Sequence, residues 1–224
     1  KSGDIFVEAK INFSEDGSIS KDYVIDGDLE NVKLRLLNKD IIENIKFGFI
    51  LKDKDYVIYN ASSLYQDIKF KSDEIRIKEK DSAFLFNGNI STSKNDLNLK
   101  AISKIFQLDL GSIVNDKIIF SSNNKFSFKL SKKFKFSNIN ADSKFNIESL
   151  EYSNSSLKEF FPGYKNGVKF ENNVINLDYQ NGNYKISGDS ELNVNEDIDS
   201  LSYSIEKKKD KIFFKTNLEV ISNA

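Results

Sequence analysis

The chain has 224 residues, 39% of them apolar, and its 33 Lys and Arg residues nearly balance 34 Asp and Glu residues, leaving a net charge of −1. Such a chain can bury a substantial core, and its charge creates no overall field that would attract DNA, RNA or an anionic membrane. It contains no His, Cys, Met or Trp, which excludes a Ser-His-Asp triad, a thiol nucleophile and the usual zinc site. We therefore predict a protein that is not an enzyme and uses no cofactor. The composition does not exclude a metal site built only from carboxylates, but the sequence has no DxDxDG-type calcium loop.

Alternation of apolar and polar residues begins at Ile5 and continues through Phe13, which is the pattern of a strand buried on one face. The same alternation returns along most of the chain and predicts roughly fourteen strands. Short polar clusters separate the alternating runs: SEDGS at 14–18, KDKD at 52–55, SKND at 93–96, SSNN at 121–124 and QNGN at 180–183. Connections this short join antiparallel neighbours.

Helix is predicted at two places only. The segment Leu99–Leu110 has near-helical spacing, although its first half also suits a strand. A short helix over Ser156–Phe161 would end at Pro162-Gly163. We therefore predict one continuous β segment over residues 1–224, with possible seams near 100–115 and 155–165. Because the chain starts with Lys1, we expect it to be an excerpt of a longer protein.

A hexamer recurs three times, as YVIDGD at 23–28, FLFNGN at 84–89 and YKISGD at 184–189. In each copy the glycine falls where an apolar side chain would point inward, at Gly27, Gly88 and Gly188. A glycine at that position removes bulk and permits a bulge or bend. These glycines are predicted to let the sheet coil.

Many strands with one apolar face must cover that face, with a second sheet, with a closed barrel, or with a bound apolar ligand. The predicted fold is mainly β, a long twisted antiparallel sheet curled into an open groove (a repeating β-groove) with one or two short helices. A β-sandwich is the alternative. The predicted lipid-groove lining, taken from alternation, is Ile45, Phe47, Phe49, Leu51, Phe84, Phe86, Ile90, Phe126, Phe128, Leu130, Ile175, Leu177, Tyr184, Ile186 and Phe214.

Two stretches resemble a known family. They run from Gly17 to Ser93, with GSISKDYVIDGDLEN and a later FLFNGNI, and from Ser156 to Lys208, with SLKEFFPGY and NYKISGDSELN. The spacing of aromatic, apolar and glycine residues in these stretches is similar to that in the repetitive region of AsmA-like proteins, particularly the YhdP and TamB branch of Gram-negative bacteria. The two stretches cover about two-thirds of the chain.

The resemblance implies a periplasmic protein, anchored in the inner membrane by a segment outside this sequence. It implies that the β-groove carries phospholipid acyl chains between the inner and outer membranes. The expected partners are phospholipid, the inner membrane and unidentified outer-membrane proteins, with no nucleic acid.

Two other functions fit parts of the sequence. A closed β-sandwich could serve as a structural or adhesive surface domain that binds no lipid. The pairs Asp26 with Asp28 and Asp189 with Glu191 could act as glycosidase carboxylates, although solvated carboxylates beside a bend are far commoner. The basic run at 206–211 would contact lipid headgroups only if it lay at the rim of a groove.

Overall fold

The computed structural model describes residues 3–20, 23–35, 40–53, 55–100, 103, 111–114, 117–153, 168–194 and 197–220. Twelve strands form one antiparallel sheet, and each strand pairs with the next in sequence order. Among these strands β1 and β12 have one neighbour each, so the sheet is not closed. The prediction of a mainly β protein built on a single antiparallel sheet is confirmed, and the described strands do not form the two sheets of a sandwich. The strands are β1 Asp4–Lys10, β2 Val24–Arg35, β3 Ile41–Lys52, β4 Asp55–Tyr65, β5 Ile68–Lys80, β6 Ala83–Asn98, β7 Lys117–Ser131, β8 Phe136–Tyr152, β9 Val168–Gln180, β10 Asn183–Val194, β11 Asp197–Lys208 and β12 Lys211–Glu219.

Two of the predicted turns lie inside strands. SKND at 93–96 belongs to β6, and SSNN at 121–124 belongs to β7. The amide Nδ2 of Asn124 donates a hydrogen bond to the carbonyl of Ile90 at 2.9 Å, so this polar side chain ties β7 to β6. The two clusters therefore continue their strands instead of ending them, and the described residues form twelve strands.

Other predicted turns are confirmed. β3 ends at Lys52 and β4 begins at Asp55, both within KDKD, and β9 and β10 meet at Asn181-Gly182. Asn181 has φ of 48° and Gly182 has φ of 90°, as both central residues of a type I′ hairpin turn require. The tight turn fixes the register of the two strands, so Tyr179 pairs with Tyr184.

Helix is scarce in the described residues. Leu99, Lys100 and Ser103 are helical, and the Oδ1 atom of Asn98 accepts a hydrogen bond from the backbone N–H of Lys100 at 2.8 Å. The other residues of the predicted 99–110 helix, and the whole predicted 156–161 helix, lie outside the described residues. Nowhere in the described part of the chain is a helix long and apolar enough to span a bilayer.

The chain divides into two compact units. The first comprises Lys1–Thr92 with Asn124–Ala141, and the second comprises Ser93–Asn123 with Asp142–Ala224. The buried apolar residues of the first unit, among those described, are Ile68 and Ala83. Those of the second unit are Leu97, Ile118, Phe120 and Val168.

Several strands carry an asparagine in the left-handed region. Asn31 in β2, Asn44 in β3, Asn60 in β4 and Asn172 in β9 have φ between 50° and 55°. The pairing of the strands shifts register beside each of them, as between Lys46 and Gly48 of β3, opposite Asn60. An extra residue in a left-handed conformation is the geometry of a bulge, which bends a strand and increases its twist.

Candidate functional site

An apolar face crosses the first unit from strand to strand. Directly paired residues of antiparallel strands point to the same face, so the register identifies which side chains share it. Two adjacent rows run from β1 to β6. One row is Val7, Gly27, Phe49, Ile58, Ile75 and Gly88, and the other is Ala9, Ile25, Leu51, Tyr56, Ile77 and Phe86.

Aromatic contacts extend this face to β7 and β8. The rings of Phe86 and Phe128 stack with centroids 4.5 Å apart and planes 13° apart. Phe128 also contacts Phe126 at 5.9 Å and Phe136 at 5.4 Å. Phe47 meets Phe49 edge to face at 6.3 Å. The structure therefore brings Phe86, Phe126 and Phe128 together in this unit, and separately Phe47 and Phe49.

These side chains keep access to solvent. Phe47, Phe49, Phe86 and Phe128 are all only partly buried. Towards β1 the exposure rises, and Val7 is 52% exposed. An apolar surface that continues from strand to strand in this way occurs at protein-interaction sites, at membrane-contact sites and in ligand-binding grooves.

The opposite face of the first unit, called the polar face below, carries cross-strand ion pairs, and the apolar residues Val24, Ile50, Val57 and Leu85 are interspersed among its charged residues. Lys33 pairs with Glu43 at 2.9 Å, Lys78 pairs with Asp55 at 3.2 Å, and Lys46 pairs with Glu30. Asn87, next to Phe86, pairs with Arg76 on this face and is exposed. The two rows of the apolar face contain no charged residue, whereas this face mixes charged and apolar side chains.

The apolar face leads into a hollow of about 370 Å³. Such a volume lies within the range of small-ligand pockets. The Tyr65 hydroxyl at its wall donates a hydrogen bond to Oδ2 of Asp40 at 2.8 Å. Most of the wall is apolar or hydroxyl-bearing, and the lining is Ile42, Ile45, Ala61, Ser62, Ser63, Tyr65, Phe70, Lys71, Ser72, Ile75 and Ile90.

The second unit has an apolar face of its own across β9 to β12. Its central row is Leu177, Ile186, Ile205 and Phe214. A neighbouring row is Ile175, Gly188, Tyr203 and Thr216. Phe214 is 66% exposed, because β12 has a single neighbouring strand. The predicted lining residues of β9, β10 and β12 thus share one face.

The hexamer glycines lie where a neighbouring strand approaches closely. A Cβ atom at Gly188 would lie 2.3 Å from the ring of Tyr203, and one at Gly88 would lie 3.0 Å from the Glu74 carbonyl oxygen. At Gly27 it would lie 2.3 Å from the Phe6 carbonyl oxygen. Each glycine removes a side chain that the neighbouring strand would meet, and the proposed role in coiling stays a prediction.

A fourth glycine of this kind was not identified from the sequence. A Cβ atom at Gly48 would lie 2.3 Å from the ring of Tyr59 on β4. Tyr59 pairs with Gly48 as Tyr203 pairs with Gly188, and the sequence alone does not reveal these cross-strand pairings. Burial is the main cause that raises the pKa of both tyrosines, and Asp28 adds to the effect at Tyr59 and Asp189 at Tyr203.

The sequence analysis also left out residues that complete the rows. Ile58 of β4, with Ile75 and Ile77 of β5, lies between the predicted lining residues of β3 and β6. Ile75 and Ile77 alternate with charged residues, a signal that could have identified them.

Polar residues do not gather into a metal site. No group of His, Cys, Asp and Glu side chains in the described parts of the chain could hold a metal ion. Comparisons of the chain with protein families, with curated proteins and with solved structures find no significant match.

Proposed function

We propose that this chain is a segment of a periplasmic lipid-transfer conduit, which carries phospholipid acyl chains between the inner and outer membranes. The observation that supports the proposal best is the pair of apolar rows across β1 to β6, whose side chains keep access to solvent. The resemblance to AsmA-like proteins supports the periplasmic location, the inner-membrane anchorage and the absence of an enzymatic activity.

The energetics of acyl chains suit such a surface. Moving a methylene group from water to an apolar environment is worth about 0.8 kcal/mol, so an acyl chain does not cross water unshielded. Neighbouring strands lie about 4.8 Å apart, and the five steps from β1 to β6 give an apolar strip of roughly 24 Å. Because the strip offers similar contacts along its length, an acyl chain can slide without leaving an apolar environment.

The headgroup has a different requirement. A phosphate cannot be buried against an apolar wall without a large desolvation cost. It would remain in water beside the apolar strip while the tails lie on it. This arrangement needs neither a cofactor nor a reaction step, in keeping with the residue types of the chain.

Photo-crosslinking in Gram-negative cells tests the proposal. A photoreactive residue placed at Phe49 or Phe86 should yield phospholipid adducts, because both side chains lie on the apolar face of the first unit. Mass spectrometry of the crosslinked protein identifies the lipid. The matched controls are Lys46 and Asn87, which are close in sequence but lie on the polar face.

Adducts confined to Phe49 and Phe86 would support acyl transport. Equal labelling at all four positions, or labelling at none in well-folded protein, would contradict it. The second result would favour a structural or adhesive role without lipid.

A further inference from the structure

The turn between β7 and β8 combines exposed aromatic rings with lysines. Its sequence from Ser131 to Phe136 is SKKFKF. Phe134 is 82% exposed, the highest value among the large apolar residues that the structure describes, and Phe136 is 62% exposed. The turn thus exposes two aromatic rings, at positions 134 and 136, to water amid three lysines, and exposed apolar area of this kind marks an interaction surface.

The backbone at Phe134 is strained for a residue of this size. The carbonyl of Ser131 accepts a hydrogen bond from the N–H of Phe134 at 2.9 Å, and the N–H of Ser131 donates one to the carbonyl of Lys135 at 3.0 Å. This is a three-residue hairpin loop whose last residue takes a left-handed conformation, where glycine is normally found. Phe134 has φ of 57°, an outlier for a bulky residue.

The charges of the turn are mostly unpaired. Lys132 pairs with Glu79 of β5 at 3.1 Å. Lys133 and Lys135 are exposed, and neither has an ion-pair partner among the described residues. The turn thus carries local positive charge, although the net charge of the chain is −1.

The aromatic rings of the turn lead to the apolar face. Phe136 contacts Phe128 with centroids 5.4 Å apart, and Phe128 stacks on Phe86. All three belong to the first unit. A surface that contacts Phe134 and Phe136 would therefore meet the end of the apolar strip.

We propose that this turn docks on an anionic lipid bilayer. Phe134 and Phe136 enter the interface between headgroups and acyl chains, while Lys133 and Lys135 contact lipid phosphates. An aromatic ring at the tip explains why the strained position holds Phe, since a glycine would fit the turn better but bring no apolar contact. That the docked turn brings the apolar strip to the membrane rests on the proposed function. Binding of the turn to a bilayer does not depend on that function.

Vesicle flotation with the purified protein tests the inference. The vesicles contain phosphatidylcholine and phosphatidylglycerol in equal parts, or phosphatidylcholine alone. We expect binding to the mixed vesicles, and weaker binding to the neutral ones, because each lysine near an anionic surface contributes about a fivefold gain in partitioning.

Phe134→Asn is the most informative variant. Asparagine accepts the left-handed conformation, so this variant should keep or raise the melting temperature while its partitioning onto mixed vesicles falls about tenfold or more. If Phe134 had a structural role, Phe134→Asn would instead lower the melting temperature.

The double variant K133Q/K135Q should bind mixed vesicles about 25-fold more weakly and neutral vesicles almost as well as the unmodified protein. The control K125Q/K144Q replaces two exposed lysines of the same strands and should bind as the unmodified protein.

Three results would overturn the inference: no flotation of the unmodified protein, unchanged binding of Phe134→Asn, or equal binding to both kinds of vesicle. The first result, no flotation, would indicate that the turn binds a protein rather than a bilayer. Crosslinking at Phe49 separates this inference from the proposed function. Lipid adducts there without flotation would reject docking alone, and flotation without adducts would reject acyl transport alone.

Discussion

At the scale of single residues, Gly88 shows what an absent side chain contributes. A Cβ atom there would lie 3.0 Å from the Glu74 carbonyl oxygen and 3.1 Å from Cα of Ile75. Both belong to the backbone of β5, which is held between β4 and β6 and cannot move aside cheaply. We therefore expect Gly88→Ala to destabilise the protein by about 1–3 kcal/mol, the usual cost of overpacking.

Urea denaturation measures this change as a lower midpoint with an unchanged slope. The control is Asn87→Ala, the neighbouring exposed position on the polar face, which should change stability by no more than about 0.5 kcal/mol. Equal midpoints for the two variants would mean that β5 shifts to accommodate an added methyl group. The close approach at Gly88 would then contribute nothing to the free energy of unfolding.

The shared face of the alternating apolar residues was predictable because a strand has a fixed period of two. Once Phe84 and Phe86 are placed on a strand, their shared face follows from alternation alone. The partner across the strand boundary does not follow, because register depends on turns and bulges elsewhere in the chain. The stacking of Phe86 on Phe128 and the ring of Tyr203 over Gly188 therefore emerge only from the structure.

At the scale of strands, left-handed asparagines accompany the register shifts. Asn60 in β4 has φ of 51°, and the pairing of β3 with β4 shifts beside it. Because of the bulge, Ile58 and Ala61 both contribute to the apolar side, the first in the apolar row and the second in the hollow. Strict alternation would place these two residues on opposite faces. A search of the sequence for strict two-residue alternation misses this switch of face at the bulge.

We expect Asn60→Ala to destabilise the protein by about 1–2 kcal/mol, since an alanine pays the steric cost of the left-handed conformation. Asn60→Gly should be nearly neutral by comparison, because glycine adopts this conformation without that cost. Thermal and urea unfolding of both variants measure the difference. A glycine variant as unstable as the alanine variant would show that the asparagine side chain, rather than the backbone conformation, stabilises the bulge.

Strand ends also explain why two polar clusters were wrongly predicted to be turns. Polar clusters predict turns because Ser and Asn favour them, yet the same side chains make cross-strand bonds, as Asn124 does to the Ile90 carbonyl. Composition alone does not separate the two uses. The Asn-Gly step at 181–182 was predicted correctly because both of its residues suit the left-handed conformation that a two-residue hairpin requires.

At the scale of the whole molecule, the sheet has apolar side chains that stay accessible in the folded state. Anilinonaphthalene sulfonate, a dye that fluoresces on apolar surfaces, should therefore bind the native protein, whereas a sealed fold would bind it only after partial unfolding. Phospholipid should displace the dye if the two share the apolar strip. Fluorescence titration of the folded protein with dye, then with short-chain phosphatidylcholine, measures both events.

The variant Phe49→Glu places a carboxylate in the middle of an apolar row, between Gly27 and Ile58. It removes the apolar area of the ring and adds a group that is costly to desolvate, so dye and lipid should bind about tenfold more weakly or worse. Asn87→Glu adds the same charge on the polar face and should bind both as tightly as the unmodified protein. Equal loss in the two variants would assign the effect to charge alone, and an undiminished affinity in Phe49→Glu would move the lipid site away from the rows of β1 to β6.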